Sequence, residues 1–470
     1  MKQYMTFPKK SFREKFIGDK AFYKMILTIA IPIMVQNGIS NFVSMLDNIM
    51  VGRVGTEAMS GVSIANQLIF VYFLCMFGGL GGVGIFTAQY YGNNDQEGIR
   101  STFRYKFWLG LILTVLATLV MSLFGDQLIK VYLTEDGSDV DTALTMKNGI
   151  SYLRIIMLSF PAFFFLNVYG SMLRECGETV LPMKAGIIAV LVNLVFNWLL
   201  IFGKLGFPEL GSDGAAIATV LSRYVEAGII MIWTHTHKKK NPWVVGLYRT
   251  LKVPKENIKK YFVKGMPILA NEALWSFGMA TLTQCYSTRG LNVIVAINIA
   301  NTINNCLNII FMAMGNAVAI VVGQSLGAGR LKEAKDQDNK MVAFSIAFSL
   351  VTSLLLVAAA WIFPEIYNTS EEAKHLATMF ILGYAIFTPQ NAFMHCAYFT
   401  LRSGGKTFIT FLFDSVSIWC LSIPTALLLS RLTSVSALTI YFCVNIADWA
   451  KLAIGYIMVK RNSWVQNIVQ

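Results

Sequence analysis

The sequence is short of charge. Only 14% of its 470 residues are Asp, Glu, Lys or Arg, against 55% hydrophobic, whereas a soluble protein carries roughly 25% charged residues. That deficit excludes an ordinary water-soluble fold and leaves no polar domain to bind nucleic acid. Paired cysteine motifs are also missing. Seven cysteines stand singly, most inside apolar segments, with no CxxC, so neither a disulfide framework nor a cysteine metal site is expected. There is no HExxH, no P-loop and no Ser/His/Asp constellation. Catalysis is therefore not expected, and any energy for work must come from an ion gradient rather than from ATP hydrolysed by this chain. Gly79–Gly84 spells GxGxxG, but it lies inside an apolar run with no strand before it. Close helix packing explains it better than a nucleotide.

What the chain has in abundance is long apolar runs. Twelve are long enough to cross a bilayer, near 24–50, 58–90, 99–124, 145–172, 179–202, 214–236, 259–286, 293–326, 338–362, 374–401, 407–429 and 434–459. Basic and acidic connections alternate between them. By the positive-inside rule both termini are expected in the cytoplasm. The first apolar run is too long for a signal-peptide core and reads as a retained helix. Pro32, Pro161, Pro267, Pro389 and Pro424 fall inside runs and should kink them. The longest basic stretch, His237–Lys264, reads as a linker lying against anionic headgroups, with His235 and His237 as solvated residues beside it. The organisation predicted is an N-terminal lobe over 1–236, a linker over 237–258 and a C-terminal lobe over 259–470.

The two lobes are related. Residue n pairs with n+235 from Pro32 to about Asn94, as in Pro32/Pro267, Ile64–Asn66/Ile299–Asn301, Gln89/Gln324 and Gly92/Gly327. A second frame, offset by 228, pairs Leu173–Arg174 and Gly177 with Leu401–Arg402 and Gly405. Six segments per unit is an even number, so both units enter the membrane the same way, as a parallel repeat.

A few polar residues break the apolar runs. Asp47 lies in Ile26–Met50, which has no Lys or Arg. A charge near the bilayer centre costs about 2.5–3.5 kcal/mol on the mildest scale, so Asp47 should face an ion, a cavity or a partner. Gln36, Ser40 and Ser44 share its side of the helix at spacings of four, four and three. On the eighth segment Asn298, Asn301, Asn305 and Asn308 form a second polar line. Gln36, Ser40, Asn66, Asn301, Asn305 and Asn308 are the candidates for lining a cavity, with interhelical hydrogen bonding as the alternative for the asparagines. Glu272 and Asp414 are further intramembrane acids without a basic residue within one turn. They are candidate proton, cation or substrate sites. Asp448 and Lys451, three apart, are expected to pair with each other, and Arg174 and Arg402 to act as interfacial anchors.

The chain resembles the multidrug and toxic compound extrusion (MATE) transporters. The resemblance rests on Pro32 and Asp47 in LDNIMVGRVG, on LRECGETVLP (Leu173–Pro182), NLVFNWLLIFG (Asn193–Gly203) and GAAIATVLS (Gly214–Ser222), and on LRSGGKT with FLFDS in the C-terminal half. It implies an all-α polytopic membrane protein of twelve helices, in two six-helix lobes related by pseudo-twofold symmetry and set in a V. It implies that Asp47 binds the coupling Na⁺ or H⁺, assisted by Asn193, Asn197 and the hydroxyl of Thr219. Asn197 stands where the family usually has a second acid. Glu272 and Asp414 resemble C-lobe acids of one bacterial branch. The expected function is export of amphipathic, mainly cationic organic compounds across the inner membrane by alternating access. No cofactor beyond the ion is expected, the partners are lipids and small organic cations, and the protein is expected to work as a monomer. A flippase for lipid-linked saccharides and an ion channel are the alternatives. A flippase should show a more cationic cleft, and a channel should show a filter loop.

Overall fold

A computed structural model describes residues 11–132 and 141–470, apart from the side chains of Ser44 and Tyr132. Lys2, Lys9, Lys10 and the acidic residues Glu135, Asp136 and Asp139 lie outside the described residues. The described chain is all helix, with no strand. After a short capped helix at Phe12–Phe16, twelve long rods follow. They are α1 Lys20–Gly52, α2 Thr56–Gly92, α3 Gln96–Tyr132, α4 Thr142–Glu175, α5 Val180–Ile201, α6 Gly211–Thr236, α7 Lys255–Ser287, α8 Leu291–Gly327, α9 Leu331–Ala360, α10 Glu371–Ser403, α11 Thr407–Leu432 and α12 Ala437–Lys460. All except α7 and α10 meet a strict test of length and hydropathy for crossing a membrane. Those two are equally long, but their apolar residues are too interrupted by polar ones to give a sufficiently apolar stretch.

The sequence repeat is a structural one. α1 is matched by α7 and α2 by α8, with both ends of each pair displaced by 235 residues. The 228 frame is a duplicated helix stop. The N–H groups of Gly177 and Glu178 bond back to Arg174 and Leu173, and those of Gly405 and Lys406 to Arg402 and Leu401. Gly177 and Gly405 have φ of 87° and 70°, the left-handed cap that glycine adopts without strain.

Contacts divide the chain into two compact units. One, called here the Asp47 unit, comprises Pro32–Thr87 and Gln96–Gly265. The other, the Asp414 unit, comprises Met1–Ile31, Ala88–Asp95 and Met266–Gln470. The division follows the chain less simply than halves at 1–236 and 259–470. α1 changes unit at Pro32 and α7 beside Pro267, where proline removes a helix hydrogen bond. The last turn of α2 belongs to the Asp414 unit because repeat-related residues meet there. A Cβ on Gly92 would strike the Gln324 carbonyl, and one on Gly327 the Gln89 carbonyl. The C-terminal tail then stitches this crossing. Gln89 donates to Ser403 O at 2.9 Å and accepts from Ile468 N at 2.9 Å, while Asn467 donates to Gly327 O at 2.9 Å.

Proline acts as expected in α4 and α11. A tight turn at Met157–Ser159 precedes Pro161 in α4, and two wide π turns precede Pro424 in α11. The linker is anchored to the helices beside it, since Trp243, Val244 and Leu247 are buried. Arg100 and Trp108 of α3 donate to Trp243 O and Leu251 O at 3.1 and 3.0 Å. His235 is not a solvated loop residue: it ends α6 and meets the Tyr169 hydroxyl at 2.9 Å. The third run, read from 99, starts a little earlier as a helix, because α3 begins at Gln96 and buries Lys106 against Glu175 at 2.5 Å. A buried ammonium has to find an acid, and this one does.

Candidate functional site: two intramembrane carboxylates

In the Asp47 unit, three helices converge on Asp47. α5 is apolar almost throughout, so its two buried asparagines, Asn193 and Asn197, four apart, present amides on one face. The Asn197 amide nitrogen donates to Asp47 Oδ1 and to Asn193 Oδ1, the latter at 3.1 Å. Asn193 donates in turn to Thr219 of α6 at 3.3 Å. Turning the Asn197 amide over would set its oxygen against the carboxylate, so the donors fix its orientation. Its Oδ1 is then buried and has no hydrogen-bond partner. Leaving such an atom unmatched costs about 1–3 kcal/mol. It lies beside a carboxylate, where a cation would find it a second oxygen ligand.

Among the described residues no basic side chain fills that role. Arg223 lies within electrostatic range of Asp47, but it pairs with buried Glu226 at 3.0 Å. Among the described residues no basic group forms an ion pair with Asp47. Tyr152 donates to exposed Asn66 at 3.5 Å, and Gln36 packs beside Gly186 close to Glu226. Ser40 is exposed. The group Asp47, Asn193, Asn197 and Thr219 is therefore brought together, with Gln36 on the helix of Asp47 and Asn66 on α2 of the same unit.

In the Asp414 unit the arrangement differs. Asp414 sits in a π turn of α11, a local widening of the helix often found at functional positions. Lys451 of α12 reaches its Oδ1 at 2.7 Å, and Asn271 of α7 donates to its Oδ2 at 3.0 Å. Two expectations fall here. Asp414 does have a basic partner, and Lys451 pairs with it rather than with Asp448, which accepts from Ser422 at 2.7 Å. Glu272, next to Asn271, accepts from the Tyr398 hydroxyl at 3.3 Å. Arg402 is not an interfacial anchor; it is buried, with its guanidinium 5.5 Å from the Phe399 ring centre. On α8, Asn301 accepts from Tyr384 at 2.7 Å. Asn305 is exposed and Asn308 half-buried.

Sequence reasoning missed Asp338, a buried acid of α9 that accepts from Thr400 at 2.5 Å. It stands at the very start of the ninth apolar run, 338–362, and reads there as its polar edge. The repeat could have exposed it, since α9 starts where α3 starts, displaced by 235 residues, and so Asp338 lies two turns inside a helix.

The family model MatE matches the chain twice, over residues 32–199 and 267–428. The chain belongs to the MatE family. The two matches begin at Pro32 and Pro267, the repeat-related prolines. The transporter is 25% identical over 416 residues to the "Probable multidrug resistance protein NorM" of Thermotoga maritima, covering 87% of this chain and 86% of that one. It is 24% identical over 447 residues to the "Multidrug resistance protein NorM" of Photobacterium profundum, covering 95% and 92%. Among solved structures it resembles one described as the outward-facing conformation of a multidrug resistance MATE family transporter, with a TM-score of 0.82 and 20% identity over 97% of this chain and 99% of that one. The fold is thus the all-α, twelve-helix, two-lobed MATE fold of a multi-pass membrane transporter.

Proposed function

We propose that this MATE transporter exports amphipathic, mainly cationic organic compounds across the cell (inner) membrane, driven by inward movement of Na⁺ or H⁺ taken up at Asp47. The observation that carries this reading is the buried, unpartnered Asn197 Oδ1 beside a carboxylate that has no protein counterion. Na⁺ prefers oxygen ligands, and Asp47, Asn197 and Thr219 offer three kinds of them. A proton would instead neutralise Asp47 directly. In either case the charge on Asp47 is read by α5 and α6 through the chain of amide and hydroxyl bonds from Asn197 to Asn193 to Thr219. The ion drives transport only if it binds two conformations of the protein with different affinity. Both termini are placed in the cytoplasm, and the working unit is one chain. The names of the relatives, as multidrug resistance proteins, support the substrate class.

The test is counterflow of a fluorescent organic cation in proteoliposomes. A Na⁺ gradient and a pH gradient are imposed in turn. Uptake against its own gradient under at least one of them is expected. Equal flux with no gradient would point to a channel, and no flux of any organic cation would remove the proposal.

A further inference from the structure

The Asp414 unit contains nearly everything a cation seat needs, and its own chain fills it. We infer that Lys451 is a specificity-determining residue: its ammonium is a resident counterion that closes Asp414 to mobile cations, so that this half of the transporter takes up neither Na⁺ nor an organic cation at Asp414.

The geometry is complete on every side. Lys451 is 7% exposed. Its Nζ lies 2.7 Å from Asp414 Oδ1 and 5.3 Å from the centre of the Phe413 ring, so carboxylate and aromatic face share one cation. The other carboxylate oxygen is held by Asn271. That amide cannot turn, because its oxygen accepts from the Ser415 backbone N–H at 3.2 Å and the Ser415 hydroxyl at 2.7 Å. No oxygen in this group corresponds to the unpartnered Asn197 Oδ1. The other charged and titratable groups nearby have partners of their own. Glu272 accepts from Tyr398, Asp448 from Ser422, and His395 meets Asn391 O at 2.9 Å. The positive charge next to Asp414 is therefore part of the covalent chain, and a mobile cation would have to displace a tethered one.

Truncating the lysine should open the seat. Lys451→Ala removes the ammonium and its stem but leaves the carboxylate, the ring and the amide. A small alkylammonium ion or Na⁺ should then take its place. The inference rests on the reading above in one respect, that Asp47 is where a mobile cation binds in the native protein. The test therefore runs in the Asp47→Asn background. Thermal unfolding of the purified protein is followed in NaCl, in n-butylammonium chloride and in N-methylglucamine chloride. Asp47→Asn alone is expected to unfold at the same temperature in all three. Adding Lys451→Ala is expected to give a melting temperature that rises with Na⁺ or butylammonium in a saturable way. Adding Asp414→Asn as well should abolish that rise. Lys451→Gln, which keeps more of the packing, carries the same expectation if the alanine variant does not fold. Lys451→Arg, which keeps a cation, should stay silent.

A cation response already present in Asp47→Asn and lost with Asp414→Asn would overturn the inference, since the seat would then be open with lysine in place. A folded Lys451→Ala or Lys451→Gln protein with no cation response would overturn it too. A response that survives in Asp47→Asn and also in the Asp47→Asn, Asp414→Asn double variant counts against the Asp47 reading instead, so the two failures are distinguishable.

Discussion

Asp47 and Asp414 invite comparison because they begin alike. Each is a lone carboxylate on a membrane-crossing helix, and each accepts from an asparagine side chain on a neighbouring helix. They end differently. At Asp414 the asparagine oxygen is held by Ser415 and the charge is met by Lys451. At Asp47 the asparagine oxygen is left without a donor and, among the described residues, no lysine or arginine bonds to the acid. One site is chemically closed and the other is incomplete. On the inference drawn above, depth alone does not make an acid in a membrane segment a functional site. What decides is whether a helix elsewhere in the chain brings the missing charge.

The comparison breaks most visibly in transport. Asp47→Asn is expected to abolish drug resistance in a sensitive host and counterflow in proteoliposomes, while normal amounts of folded protein reach the membrane. Full export by that variant would place the coupling group elsewhere. At the closed site the large effect should fall on stability. Asp414→Asn strands a buried ammonium, and breaking one partner of a buried pair costs about 3–5 kcal/mol. Replacing both partners, Asp414→Asn with Lys451→Met, should recover most of that loss, because no uncompensated charge remains. Thermal melts of the two variants in detergent check this. If the double variant is no better than the single one, the pair is not held together by charge.

The open site was legible in the sequence and the closed one was not. Asp47 stood out because the run around it, Ile26–Met50, has no Lys or Arg to hide it, and Asn193 and Asn197 because they stand where the resemblance to the MATE family puts the residues that assist the acid. The repeat was legible for a related reason. Gln89, Gly92, Gln324 and Gly327 recur at a fixed displacement because each glycine makes room for the other repeat's glutamine backbone. The Asp414–Lys451 pair is 37 residues apart on different helices. Rules based on one helical turn found the wrong partner for Lys451, namely Asp448. A signal was there: a lysine inside a spanning segment is as anomalous as an acid, and Glu272, Asp338, Asp414 and Asp448 in that half were all candidates for it to neutralise. The anchoring of the linker was not legible, because its net charge drew attention away from its apolar residues. Trp243, Val244 and Leu247 are what bury it, while Lys238, Lys239 and Lys240 remain at the surface.

A smaller change would sharpen the contrast from the open side. Asn197→Asp supplies a second carboxylate beside Asp47 and replaces the donor that now holds it. Two like charges favour the cation-bound form, so the Na⁺ concentration for half-maximal counterflow should fall by about tenfold, equivalent to about 1.4 kcal/mol. An unchanged Na⁺ dependence would mean that Asn197 does not touch the ion. The same substitution at Asn271 should not create Na⁺ dependence, because Lys451 is already there.

The smallest expected effect concerns Glu272, which lies between the two cases: it has no basic group in ion-pair range among the described residues, yet it accepts a hydroxyl from Tyr398. That hydroxyl is also 3.5 Å from the Asn271 amide nitrogen, at the limit of a hydrogen bond. If Glu272 belongs to the closed cluster, Tyr398→Phe loses one modest bond, about 1 kcal/mol, and leaves the ion dependence of transport as it was. If Glu272 is instead a second open acid, removing its donor changes the acid's affinity for protons or Na⁺, and the pH or Na⁺ dependence of counterflow moves with it. A melt together with a pH series on this single variant separates the two. A shifted transport profile would add Glu272 to the side of Asp47, and a small stability loss alone would leave Asp47 as the acid that the protein itself does not satisfy.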